Sequence, residues 1–92
     1  MSHTIHDKKK LLARAHRIRG QVEALERALD QEKGCAEVLH QIAAIRGATQ
    51  GLMAVVMEGH IREHLAAPDV TDQTIRTQAA DELIAVLRTY LK

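Results

Sequence analysis

Thirty consecutive residues, Cys35 to His64, contain no proline, and their apolar side chains return on one side of a helix. Val38, Ile42, Ile45, Leu52 and Val56 follow a 4-3-7-4 spacing, with Thr49 filling the open step. The stretch predicts a single helix roughly 45 Å long at 1.5 Å per residue. Such a helix dominates a chain of 92 residues. It also holds Cys35 at its start and His60 and His64 near its end, too far apart to meet within one copy. They meet only if an antiparallel second copy brings its far end to the first copy's near end.

The flanking segments predict two further helices. Leu11, Ala15, Ile18, Val22, Leu25 and Leu29 recur at 4-3-4-3-4, an unbroken seam on a helix that begins near Ile5 to Lys8 and ends near Asp30. Asp7 suits its first turn. Residues 31–34 form a short polar link whose Gly34 is the expected helix stop. Pro68 breaks the chain between Ala66 and Asp72, and Thr71 or Asp72 is positioned to cap the last helix. Ile75, Ala79, Leu83, Val86 and Tyr90 form the seam of that helix. Helices of about 25, 30 and 20 residues, each with a continuous apolar stripe, leave the middle one uncovered in a monomer. The expected architecture is all-α, with residues 1–92 forming a single domain. The three-helix protomer forms an antiparallel dimer with a four-helix core, and two such dimers can pair again.

With no Phe or Trp and a single Tyr, the core must be aliphatic, which favours helices. The longest uncharged run, Gly47 to Met57, is far short of the roughly 20 residues that span a membrane. One unpaired cysteine and no export segment point to a reducing cytoplasm. Charge is distributed unevenly. Residues 1–20 carry six basic side chains against one acidic, a surplus of five, and the remainder carries seven against eleven, a deficit of four. Lys8, Lys9 and Lys10, with Arg14 and Arg17 on one helical stripe, make a basic face that suits a polyanion. A solvated helix start is the plainer alternative. No helix-turn-helix, zinc finger or aromatic stacking platform accompanies this face.

His60 and His64, at i and i+4, project from one helical face and can chelate one ion. Cys35 of an antiparallel partner adds a thiolate. His3 and the chain's α-amine, on Ser2 once Met1 is removed, lie on an arm that can reach the same end. This donor set is rich in nitrogen with one sulfur; it suits Ni(II) and Co(II), and Zn(II) would accept any four of its members. Read without a metal, Cys35 is a small buried hydrophobe and the histidines are surface polars. His60, Glu63 and His64 also spell H-x-x-E-H, a metallopeptidase pattern with Glu63 as general base. Five residues in a chain too short to build a substrate cleft carry little weight for an enzyme.

End to end, the chain resembles the CsoR/RcnR family of all-helical transcriptional repressors, and especially its nickel/cobalt-responsive branch. The resemblance is carried by M-S-H-T-I at the N-terminus, R-I-R-G-Q-V-E-A-L-E-R from Arg17 to Arg27, Cys35, and Q-I-A-A-I-R-G-A from Gln41 to Ala48. Gly51, Leu52, Met53 and the closing Y-L-K add to it. The resemblance implies a tetramer of antiparallel dimers that holds double-stranded operator DNA when metal-free and leaves it on binding metal, derepressing an efflux gene. It implies metal ligands at Ser2, His3, Cys35, His60 and His64. It assigns DNA contact to Arg14 and Arg17, to which Lys8, Lys9, Lys10 and Arg46 are plausible additions. Copper-sensing relatives carry a second Cys where this chain has His64. Formaldehyde-sensing relatives carry an acidic residue there and Pro after the initiator Met, so His64 and Ser2 depart from both patterns. Gly34 departs from the nickel/cobalt pattern, in which an acidic neighbour of the Cys can occur. A formaldehyde-responsive repressor using Cys35 and the N-terminal amine is the alternative within the same family.

Overall fold

The computed structural model of the chain describes residues 7–66, 69 and 71–90. Three helices run in order: α1 at Lys8–Asp30, α2 at Cys35–His64 and α3 at Gln73–Tyr90. No strand occurs among the described residues, as the aliphatic composition leads one to expect. Nor is any described helix long and apolar enough to cross a membrane. The chain resolves into two units, Asp7–Ala54 and a second that begins at Val55. Their boundary falls inside α2, so the long helix contributes its first part to one unit and its last part to the other.

In the first unit, the end of α1 is shaped by its backbone. The Glu32 amide donates to the Leu29 carbonyl at 3.1 Å and the Lys33 amide to the Ala28 carbonyl at 2.9 Å. These are the two bonds of a Schellman turn, whose reversal places one residue in the left-handed region. That residue is Glu32, at φ 54°, and not the expected Gly34. Gly34 instead begins α2, its carbonyl accepting from the Val38 amide at 3.2 Å. A side chain in the left-handed region costs about 1–2 kcal/mol that glycine avoids. Glu32→Gly is therefore expected to raise stability by about 1 kcal/mol. Thermal unfolding at fixed protein concentration checks this, and an unchanged or lowered midpoint would contradict it.

Ala28 is 4 % exposed although it lies off the anticipated seam, and Gln21, Ala24 and Leu25, seven, four and three residues before it, are half-buried. The seam itself is covered unevenly. Leu11, Ile18 and Leu25 are half-buried, whereas Val22 and Leu29 remain exposed. On α2, Val38 and Ile45 are half-buried and Ile42 is exposed. Thr49, the polar step in that stripe, turns its hydroxyl back onto the Ile45 carbonyl at 2.7 Å. It thereby satisfies its own donor without a neighbour.

In the second unit, α3 starts as expected. Asp72 Oδ1 accepts from the Thr74 amide at 2.8 Å, and the Asp72 carbonyl takes the Arg76 amide at 3.2 Å. Asp72 is thus the N-cap, while Pro68 lies outside the described residues. At its own end, α2 overruns His64 by a wide turn in which the Leu65 and Ala66 amides both donate to the Ile61 carbonyl. Ala79, on the anticipated α3 seam, is buried at 5 % exposure. Ile61, Ile75, Ile84, Val86 and Tyr90 stay exposed.

Candidate functional site

In the second unit, α2 and α3 together place the two histidines. His60 is buried, and its Nε2 lies 2.9 Å from the Ala79 carbonyl oxygen. A carbonyl only accepts, so Nε2 carries the proton and donates; in the neutral ring the lone pair is on Nδ1. Ala79 can offer its carbonyl to a ring from α2 because its own small side chain lets the helices approach. One turn beyond, the His64 ring is centred 5.0 Å from that of His60, tilted by 54°. Small rotations would let one ion bond both rings at the usual 2.0–2.1 Å. A cleft of about 240 Å³ adjoins His64, lined by Ile75, Gln78, Ala79 and Glu82. Glu82 and Gln78 thus bring a carboxylate and an amide to the same end of the molecule.

The remaining proposed donors are distributed differently. Cys35 is a free, exposed thiol at the first position of α2, within the other unit. It is not the buried hydrophobe of the metal-free reading. His60, for its part, is not a surface polar. Ser2 and His3 lie outside the described residues. Among the described residues, no three His, Cys, Asp or Glu side chains gather closely enough to hold a metal. The two imidazoles could fill two positions of a nitrogen-rich centre, and a centre of higher coordination would need donors besides the described residues gathered here.

The basic residues occupy the first unit. Lys8, Lys9, Lys10, Arg14 and Arg17 of α1 and Arg46 of α2 are all exposed. Arg19 pairs with Glu23 at 4.0 Å on the surface, while the other six have no carboxylate partner among the described residues. Asp7 sits just ahead of α1 as its N-cap residue, not in its first turn, and three lysines fill that turn, where there is no acidic residue. The positive end of the helix dipole disfavours each cation there by about 0.3–1 kcal/mol. The carboxylate of Asp7 at the N-cap offsets part of this, and a phosphate backbone would suit both the amides and the lysines.

Two contacts at these residues were not anticipated. One is the Ala79 carbonyl against His60, which no side-chain pattern encodes. The other lies in the first unit, where a Cβ placed on Gly51 would come within 3.3 Å of Arg14 Nη1. The small residues Ala43, Ala44, Gly47, Ala48, Gly51 and Ala54 allow tight helix contacts, but do not specify that a guanidinium makes one.

Known proteins resemble the chain over most or all of its length. A family profile described as metal-sensitive transcriptional repressor matches residues 7–89. The chain is 62 % identical over 92 residues to an uncharacterized protein in the bioA 5′ region of Serratia marcescens, covering all of both. It is 51 % identical, again over the full length of both, to the transcriptional repressor RcnR of Escherichia coli strain K12. Among solved structures it is similar to a Glu→His variant of the formaldehyde-responsive regulator FrmR from Salmonella enterica serovar Typhimurium. That match has a TM-score of 0.82 and 46 % identity, covering 92 % of this chain and 94 % of the other.

Proposed function

Since the chain belongs to the metal-sensitive transcriptional repressors, a family of regulators and not of enzymes, we propose that it binds operator DNA when metal-free and releases it on binding Ni(II) or Co(II). An efflux gene would thereby be expressed as the metal accumulates in the cytoplasm. The observation that carries this reading is the pair His60 and His64, side by side on the helix that Cys35 opens. His60 would bind through Nδ1, since Nε2 is engaged with Ala79. His64 and the partner copy's equivalent of Cys35 would join it, with the amine of Ser2 and the imidazole of His3 closing the site. Zn(II) could occupy the same donors in vitro. The bound ion supplies a rigid link between these donors, and everything else is done by the chain.

A shared site requires an antiparallel dimer. The exposed Val22, Leu29, Ile42 and Ile75 support one, because they belong to apolar seams that a single chain leaves in water. Two such dimers would present four copies of the basic face formed by Lys8, Lys9, Lys10, Arg14, Arg17 and Arg46. In this reading the whole chain acts as one domain, its two units joined by α2. Metal ties the N-terminal arm of one copy to α2 of another, which moves the basic faces out of register with the operator. Coupling of this kind is reciprocal, so DNA weakens metal binding by the factor with which metal weakens DNA binding.

The test is fluorescence anisotropy of a labelled duplex from the gene's own upstream region. Apo protein is expected to bind it, and Ni(II) or Co(II) to weaken binding by about 5- to 150-fold, the usual range of allosteric coupling. A second reading rests on the exposed thiol of Cys35 and on the similarity to a formaldehyde-responsive regulator. Release of the metal-free complex by formaldehyde, with no response to nickel or cobalt, would select it. Equal metal affinity for free and DNA-bound protein would sink the metal-sensing proposal.

A further inference from the structure

We propose that Gly51 is the seat that positions Arg14 for DNA, and so the point at which α2 controls an arginine carried by α1. The inference rests on the repressor reading above and deepens it. Within the first unit, the Arg14 guanidinium lies so close to α2 that a Cβ on Gly51 would meet Nη1 at 3.3 Å. Added Cβ atoms at Gly20, Gly34 and Gly47 meet nothing within 4 Å. Of these four glycines, Gly51 is the one whose missing side chain makes room for a neighbour, and that neighbour is a proposed DNA contact. Glycine inside a helix is destabilising relative to alanine, so its presence in mid-α2 asks for a compensating use.

Arginine has a long side chain that loses rotamer freedom when it meets a phosphate. Resting its guanidinium against bare backbone restricts it beforehand and so reduces the ordering cost of binding. Arg14 has no carboxylate partner among the described residues that could do this instead. Gly51 also lies on the helix that carries Cys35, His60 and His64. A shift of α2 on metal binding would move the seat, and with it the arginine.

The test measures apo DNA binding and its salt dependence for Gly51→Ala and Gly51→Leu, each in the wild-type and the Arg14→Ala background. Leucine fills the seat. Its variant is expected to lose about eightfold in affinity at 0.1 M salt for each displaced contact and to flatten the log–log salt slope by about 0.9. Alanine, which asks the guanidinium to give by only a few tenths of an ångström, is expected to lose less. In the Arg14→Ala background both substitutions should change nothing further. Helicity and Ni(II) affinity should stay at wild-type values, which a general loss of structure would not allow. The proposal is overturned if Gly51→Leu keeps wild-type affinity and slope, or if its loss is undiminished in the Arg14→Ala background. Should the leucine variant lose its fold by circular dichroism, Gly51→Ala decides by the same cycle. Wild-type protein that fails to bind DNA removes the repressor reading itself; wild-type that binds beside an indifferent Gly51→Leu removes only the seat.

Discussion

Alanine at Cys35 or at His64 is expected to leave a protein that holds its operator and no longer lets go when Ni(II) or Co(II) is added. Both side chains lie away from the basic face in sequence, and neither belongs to the proposed DNA contacts, so apo affinity should stay within about twofold of wild type. Removing even an outer partner of a metal site commonly costs about 10- to 100-fold in metal affinity, so loss of a ligand should cost at least that. Direct metal titration would show the loss, and anisotropy would show the ratio of apo to metal-bound DNA affinity falling to near one. The two variants should fail alike although their side chains sit at opposite ends of α2. That pairing is the signature of a centre shared between copies. Full release by nickel from Cys35→Ala would remove the thiolate from the site. Formaldehyde release that survives His64→Ala but not Cys35→Ala would transfer the protein to aldehyde sensing.

The second large effect concerns electrostatics. Arg14→Ala and Arg17→Ala should each weaken DNA binding and make it less sensitive to salt. Each phosphate contact contributes about 0.9 to the slope of log affinity against log salt, which corresponds to about eightfold at 0.1 M. If every copy in a tetramer uses the residue, the slope could fall by roughly four contacts' worth, and affinity by several orders of magnitude. Metal affinity of the free protein should not change. A substitution that lowers affinity at all salt concentrations equally would mean that the arginine acts through the fold and not through phosphates.

Most of the helical plan could be read from spacing alone, because periodic apolar residues and missing prolines are local signals. The bounds of α2 coincide with Cys35 and His64, and Asp72 caps α3 as its side chain suggests. The family, too, was legible, since blocks such as Q-I-A-A-I-R-G-A carry it without reference to coordinates. Three of the departures share one cause. Glu32 takes the left-handed position that Gly34 was expected to fill because the Schellman bonds fix that position by backbone count, whatever the side chain. Ala28 is buried on a face that it shares at 3-4 spacing with Ile18, Gln21 and Leu25, a helical period displaced from the anticipated seam. The Ala79 carbonyl against His60 and the guanidinium over Gly51 are likewise contacts of backbone with side chain. Side-chain patterns do not specify such contacts. For the candidate site, residue types and i, i+4 spacing located the two imidazoles that the structure brings together; the sequence names Cys35, Ser2 and His3 as further donors, and their joining that pair belongs to the proposal.

The exposed apolar side chains also bear on how much of this protein a cell must make. Leu12, Leu29, Leu39, Ile75 and Tyr90 are between 46 % and 65 % exposed in the single chain, and burying a large apolar side chain gains about 1.5–3 kcal/mol. If that gain comes from a second copy, folding is tied to abundance, because a protein stabilised by its partner is only as stable as its concentration allows. At low dose, newly made chains would unfold and be degraded before meeting one another. Repression would then set in sharply once synthesis passes a threshold, which makes expression level itself an input to the switch.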